Sequence, residues 1–399
     1  MHGLSWNWRV VRPIGFEPMT VRLEGGCSIQ LSYGRPNAAL VFACAPVDGN
    51  LIPAFNGSVD WSGFATHSTL AAPLHPVAGL SSGRMREFDL IARLKPLLPA
   101  NDSVVAGAGD DCAVLDLGDP LHHTLFKTDA VVEGIHFTPG TDPEQVGHKA
   151  IARCLSDIAA MGGQPTAAVV TLGLPDGHPV EWSEALYRGL CRTAARFHVA
   201  VVGGETTTVP DRTLVSVSMI GRVPRGMARM RSMAEVGDAL LVSGELGGSI
   251  DGHHLTFEPR LAEGAWLARQ AGVHALIDLS DGLAGDLRQI LQASGNPGAE
   301  VFGAALPISR SARLRARAGD LARPALLAAL TDGEDFELLF TVARGAVVPV
   351  MDGWRSQFPH TRITCIGRIT AGPEVLLQDA TGMRPMPRGG YEHFPAHES

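Results

Sequence analysis

Carboxylates recur through this chain in glycine-flanked turns and at the ends of apolar runs, a setting in which hard oxygen donors suit divalent cations. The first is Gly107-Ala-Gly-Asp-Asp-Cys-Ala-Val-Leu115, where Asp110 and Asp111 adjoin with no basic residue close in sequence to neutralise both. A tight turn of this kind suits Mg2+, which keeps several waters and borrows its remaining ligands from phosphate. The second is Lys127-Thr-Asp-Ala-Val-Val-Glu-Gly-Ile-His-Phe137, in which Asp129 is expected at the end of an apolar strand and His136 in an apolar setting. A lone histidine there is ordinarily structural and gains weight only from its company. In the third, Lys149 to Gly162, Asp157 falls among Leu155, Ile158 and Met161 in an apolar helical stretch. Burying an unpaired carboxylate is expensive, so a metal or a cationic partner is expected beside it.

Three more segments follow the same logic. Val201-Val-Gly-Gly-Glu-Thr-Thr207 reads as a strand entering a Gly-Gly turn, where a nucleotide can approach the backbone closely. Ile277-Asp-Leu-Ser-Asp-Gly-Leu283 places Asp278, Ser280 and Asp281 after an apolar strand. Helix capping accounts for Ser280 or Asp281 but not for Asp278. Asp332-Gly-Glu-Asp-Phe-Glu-Leu-Leu-Phe340 runs an acidic turn into a strand.

The elements that must position these residues alternate. Helical spacing covers 87–98, 145–161 and 182–197, and a further helix follows Asp281. Strand patterns cover 124–127, 167–174, 199–202 and 214–223, then 239–243, 338–342 and 363–369. A connector at 224–230 divides two halves, so the expected class is α/β (α+β) in two domains, 85–224 and 225–399. Residues 1–84 read differently, rich in Gly and Pro with neither helical nor strand periodicity. The stretch from Gly15 to Tyr33 resembles peptides produced when a transfer-RNA gene is translated by mistake. The expectation is therefore a non-native or disordered leader with a natural start near Met85, which the intact mass of the native protein decides.

With 399 residues, 45% of them hydrophobic, the chain can bury two cores. A net charge of −8 argues against a nucleic-acid partner. No apolar run reaches the roughly 18–20 residues that span a bilayer, and no signal segment is apparent. Six scattered cysteines without a CxxC pair point to reduced thiols and a cytoplasmic protein. Lysine is scarce, with only Lys95, Lys127 and Lys149 beside abundant arginine. A lysine kept in such a chain marks either chance or a place where a compact point charge suits better than a planar fork.

Taken in order, GDD, TD…EG.HF, LSD.AAMG, GGET, RS…GD, IDLSDGL, DGEDFELLF and the closing GYEHF resemble thiamine-monophosphate kinase, within the aminoimidazole-ribonucleotide-synthetase-like superfamily. The resemblance spans roughly Met85 to Phe394. It implies a two-domain fold of that superfamily, its N-terminal domain contributing to a β-barrel shared in a homodimer and its C-terminal domain α/β. It implies direct transfer of the ATP γ-phosphoryl group to thiamine monophosphate, assisted by several Mg2+ ions, with no covalent enzyme intermediate. By the same resemblance Asp111, Thr128, Asp129, Asp157, Glu205, Asp278 and Asp281 are metal ligands. Gly204, Glu205, Arg231, Ser280 and Lys127 face ATP, and His136, Glu334 and Tyr391 face the thiamine moiety. Several positions depart from the family pattern. Glu205 replaces an aspartate, Lys127 replaces a small or hydroxyl residue, Asp332 adds an acid to GGED, and 247–260 is more elaborate. The alternatives are a superfamily member with another acceptor and a non-catalytic nucleotide-binding paralogue. A selenophosphate synthetase would need a reactive cysteine, and none lies between Met85 and Asp111.

Overall fold

In a computed structural model of the protein, residues 87–318 and 323–389 are described, together with three short strands nearer the N-terminus. Those strands, β1 (Met19–Arg22), β2 (Ser28–Leu31) and β3 (Phe42–Ala43), pair antiparallel in register, which the sequence there does not announce. They belong to a unit of their own; residues 82–399 form a second compact unit. Met85 and Tyr391, singled out above, lie outside the described residues.

The second unit opens on helix α1 (Glu87–Leu94), tightening into a 3-10 turn at Lys95–Leu97 as its periodicity predicts. Then follow β4 (Val104–Ala106), β5 (Ala113–Leu115), β6 (His122–Val132), α2 (Pro143–Ala160), β7 (Gln164–Leu174), α3 (Val180–Arg196), β8 (Ala200–Thr208) and β9 (Leu214–Pro224). Their sheet runs β4-β5-β6-β9-β7-β8, antiparallel throughout except for the β7/β8 pair. Val215, Val217, Met219 and Val223 of β9 alternate inward, and α2 lies against them. Asp142 caps α2 by accepting from Glu144 N at 3.0 Å, and Pro143 fits the first turn, where no N–H is needed. The helix carries Ile151, Leu155 and Ile158 with no exposed surface at all. Burying a side chain of that size is worth roughly 1.5–3 kcal/mol, so Asp157 is held in place by its apolar neighbours.

The second half adds β10 (Ala239–Ser243), α4 (Leu261–Ala268), β11 (Val273–Asp278), α5 (Leu283–Ala293), β12 (Gly298–Phe302), α6 (Arg310–Arg317), α7 (Ala325–Thr331), β13 (Leu338–Val342), α8 (Val347–Gln357), β14 (Ile363–Thr370), β15 (Val375–Asp379) and β16 (Gly382–Pro385). The sheet order is β11-β13-β10-β14-β12-β15-β16, with only β12/β15 parallel. Two mixed sheets flanked by helices make the α/β (α+β) class expected above. Among the described residues no helix is long and apolar enough to cross a membrane. Cys112, Cys154, Cys191 and Cys365 are free thiols, while Cys27 and Cys44 lie outside the described residues.

Three local expectations change. Strand β6 continues to Val132, so Asp129 sits inside a strand rather than at its end. Strand β8 continues through Thr208, so Gly203 and Gly204 are strand residues and not a turn. A Cβ on Gly204 would stand 1.9 Å from the Val170 carbonyl oxygen, so close strand packing already requires glycine there. Neither Ser280 nor Asp281 caps α5; Asp286 accepts from the Asp281 and Gly282 amides at 3.1 and 3.0 Å.

Candidate active site: a buried carboxylate cluster

Four elements converge on one set of carboxylates. Asp111 precedes β5, Asp157 lies in the last turn of α2, and Asp278 ends β11; all three are buried. One oxygen from each lies within 4.8 Å of the others. Asp129 of β6 stands at the edge, with Lys127 two residues before it on the same inward face. Lys127 Nζ donates to Asp157 Oδ1 at 2.8 Å and lies 3.7 Å from Asp129 Oδ1. The cationic partner expected for Asp157 is thus Lys127.

The other protein cations are arginines from both halves. The Arg231 guanidinium donates to Asp111 and to Gln289, and its backbone N–H donates to Asp110 Oδ2 at 3.1 Å. Arg231 is 120 residues from Asp111 in sequence, so the lack of a basic neighbour did not leave that turn unpaired. Arg153, one turn before Asp157, lies 3.7 Å from Asp129 Oδ2 and 3.4 Å from Glu334 Oε1. Ser156 Oγ donates to Asp278 Oδ2 at 2.6 Å.

Burial dominates the protonation of this set. It raises Asp278 to about 7, helped by the Asp111 charge, and Asp110 to about 7 for the same two reasons. Asp281 rises to about 6 through burial and the Glu87 charge. Burial also pushes Asp157 up. For Asp129 burial alone would do likewise, but Lys127, Arg153 and a hydrogen bond from Asp157 hold it below the usual range. Burial would depress Lys127, yet Asp157 and Asp129 outweigh it and hold the ammonium above its ordinary value.

These residues fit a divalent cation on an observation of their own. Asp111 Oδ2 and Asp157 Oδ2 are buried and have no hydrogen-bond partner. An orphaned buried carboxylate oxygen costs about 1–3 kcal/mol or more, which a cation shared with Asp278 would offset. Not every residue singled out in the sequence joins them. The Thr128 hydroxyl accepts from Ser218 Oγ at 3.0 Å on the opposite, exposed face of β6. Glu205 is exposed on β8 and lies outside the oxygen group, as does Asp281, whose carboxylate accepts from Gln289 Nε2 at 3.4 Å.

A second polar cluster borders the first. Glu334 sits at φ +54° in a loop that runs beside the Asp278 segment, its N–H donating to the Ser280 carbonyl at 2.7 Å. A non-glycine residue in that region is strained and persists only where its surroundings over-determine it. Here they do: Lys149 Nζ donates to Glu334 Oε2 at 2.7 Å, and His254 Nδ1 lies 3.2 Å from the same oxygen. Lys149 Nζ also donates to the His136 carbonyl at 2.6 Å, and His136 Nδ1 accepts from Val132 N at 3.1 Å. His136 and Glu334 are therefore held by one ammonium. Asp332, expected near the acceptor, is engaged elsewhere, accepting from Gly248 N at 2.9 Å and pairing with Arg315 and Arg323 at 3.3 and 2.9 Å. It anchors the elaborate 247–260 segment that delivers His254. Lys149, Arg153, His254, Ser156 and Gln289 were given no role in the sequence reading. Only Lys149 left a signal, as one of three lysines.

Comparison with known proteins gives the family of the chain. Residues 109–223 match the family AIR synthase related protein, N-terminal domain. A thiamine-monophosphate kinase of Rhodopirellula baltica is 40% identical over 314 residues, covering 76% of this chain and 96% of that protein. The chain belongs to the thiamine-monophosphate kinase family. The Bacillus subtilis thiamine-monophosphate kinase is 32% identical over 334 residues, covering 78% of this chain and all of that one. Among solved structures, AaThiL complexed with AMPPCP and TMP superposes with a TM-score of 0.66 at 28% identity, covering 77% of this chain and 97% of that one. Family membership makes the chain a kinase and agrees with the fold found here.

Proposed function

We propose that the chain transfers the γ-phosphoryl group of ATP to the phosphate of thiamine monophosphate, giving thiamine diphosphate and ADP. The observation that carries the reading is the Asp111, Asp157 and Asp278 group with its two buried, unpartnered oxygens, in a chain of this family. Both substrates are polyanions, so the site must neutralise charge and align donor with acceptor for in-line displacement. Asp111, Asp157 and Asp278 would hold Mg2+, with Asp129 and Asp281 at the margin; the ions supply charge neutralisation on the phosphates when bound. In the displacement an acceptor phosphate oxygen forms a bond to the γ-phosphorus while the bond from γ-phosphorus to the bridging β-oxygen breaks. ADP leaves with that electron pair.

The residues already paired must change partners for this to happen. The Arg231 guanidinium donates to Asp111, so ATP phosphate would compete with that carboxylate for it. The resemblance assigns Ser280, Gly204, Lys127 and Glu205 to the nucleotide. His136 and Glu334 face the acceptor, Glu334 being an anion fit to meet a thiazolium; the family resemblance assigns Tyr391, outside the described residues, to the same side. Burial would raise Glu334, but the hydrogen bond from His254 and the charges of Lys149 and Arg153 bring it to about 2, so it stays ionised at neutral pH.

The same reading includes a cytoplasmic homodimer. Phe126, Val169, Val202 and Ile220 are each more than two-fifths exposed, and among the described residues β8 is an edge strand whose residues are nearly all exposed. An apolar, unpaired sheet surface of that kind favours closure against a second copy. A solution mass of a single chain would reject it.

The deciding experiment measures ATP-dependent conversion of thiamine monophosphate with and without Mg2+. Thiamine diphosphate should appear only when both ATP and the metal are present. No product with metal rejects the acceptor, and product in its absence rejects the metal's part. A second measurement uses pH. Asp110 and Asp278, raised to about 7, favour folding below their ordinary value of 3.8, and that contribution is lost as pH climbs through about 7. A cation held by Asp278 competes with its proton. The increment in Tm that Mg2+ confers should therefore grow from pH 5 to pH 8, and an increment independent of pH would contradict the assignment.

A further inference from the structure

Lys127 occupies one side of the carboxylate cluster. Its ammonium lies 2.8 Å from Asp157 Oδ1 and 3.7 Å from Asp129 Oδ1, and the side chain is 22% exposed. The other Asp129 oxygen faces Arg153 Nε at 3.7 Å. Asp129 is correspondingly absent from the group of oxygens that Asp111, Asp157 and Asp278 bring together. The two sides of Asp157 therefore differ. Towards Asp129 the carboxylate oxygens already meet Lys127 and Arg153; on the other side Arg231 takes one Asp111 oxygen, while the Oδ2 atoms of Asp111 and Asp157 have no hydrogen-bond partner.

We propose that Lys127 is a built-in cation that fills the Asp129 side of the cluster and confines divalent ions to the Asp111, Asp157 and Asp278 side. The inference deepens the reading above and rests on it, since it takes the carboxylates to be a cation site. A monovalent ammonium at this distance repels a divalent ion strongly where solvent is scarce. It also needs no dehydration step, being part of the chain. Lysine suits the position because it is a compact point charge on a long stem, and this chain keeps only three of them. The consequence is a lower count of divalent ions than the number of carboxylates suggests.

The test counts ions rather than turnover. Mn2+ alone is titrated into the full-length, nucleotide-free chain, and bound ions per chain are read from the electron paramagnetic resonance signal of the free ion. The wild type is expected to bind one ion in the cluster. Lys127→Ser and Lys127→Met should each bind one more, while Lys127→Arg, which keeps the charge, should match the wild type. Far-ultraviolet circular dichroism checks each fold; should Lys127→Ser not fold, Lys127→Met, which keeps the stem, carries the count. Variants that fold only with Mn2+ present also support the proposal, because the ion then replaces the ammonium. Equal counts of one in the wild type and in both uncharged variants overturn it while leaving the cluster a cation site. A wild type and variants that bind no Mn2+ overturn the cluster as a cation site, and this inference with it.

Discussion

Asp157→Asn should lower the rate of thiamine diphosphate formation by about 10^3-fold while leaving a folded chain. The size follows from removing one preorganised electrostatic group, which typically costs 10^2–10^3 in turnover. The fold survives because burial already pushes Asp157 towards its neutral form, and asparagine is the neutral isostere. Its amide oxygen can still accept from Lys127, and the charges of Asp129, Asp278 and Asp111 lose one neighbour that repels them. Without Mg2+ the Tm should therefore stay the same or rise. With Mg2+ the increment in Tm should shrink, because one of the two unpartnered oxygens that offered themselves to the ion is gone. Turnover within a few-fold of the wild type removes Asp157 from the metal-holding set. An unchanged Mg2+ increment leads to the same conclusion from binding alone.

Much of the cluster was legible because burying a carboxylate leaves a trace in one dimension. Asp157 stands out among Leu155, Ile158 and Met161, and all three of those neighbours are fully buried. Asp278 could be separated from its neighbours because a helix cap explains Ser280 or Asp281 but not a residue at the strand end. That reasoning survived even though neither of the two is the cap, since Asp286 reaches back from inside α5. What failed were statements about partners and boundaries. Arg231 reaches Asp111 across 120 residues, a pairing that no local window contains. The ends of β6 and β8 were misplaced because Asp129 and the glycines have weak strand preference, and pairing with β9 and β7 overrides it. Thr128 was placed among the ligands by the family resemblance, and period-two alternation turns its side chain to the face opposite Lys127 and Asp129. The second cluster was the least visible, since His254, Glu334 and Lys149 come from three distant segments and meet only in space.

That second cluster carries the largest expected effect on stability. Lys149→Met should cost about 3–5 kcal/mol, the usual penalty for breaking a buried ion pair by removing one partner. Lys149 has no exposed surface, and burial brings its pKa down to about 8 against the opposing charge of Glu334, so the ammonium is retained at neutral pH. Its loss strands the His136 carbonyl and leaves Glu334 with Arg153 at 3.4 Å and His254 at 3.2 Å. The Tm should fall by roughly 5–10 °C, and the KM for thiamine monophosphate should rise because Glu334 and His136 lose their common anchor. Glu334 has its folded-state pKa lowered from 4.5 to about 2, so its contribution is present above its unfolded value and lost as pH falls through about 2. The stability gap between wild type and Lys149→Met should accordingly narrow as pH drops from about 4.5 towards 2. The double variant Lys149→Met/Glu334→Gln removes both charges and should be more stable than the sum of the single effects implies. Additive losses in that cycle, or a gap that does not narrow in acid, would show that Lys149 acts through packing alone and not through its charge on Glu334.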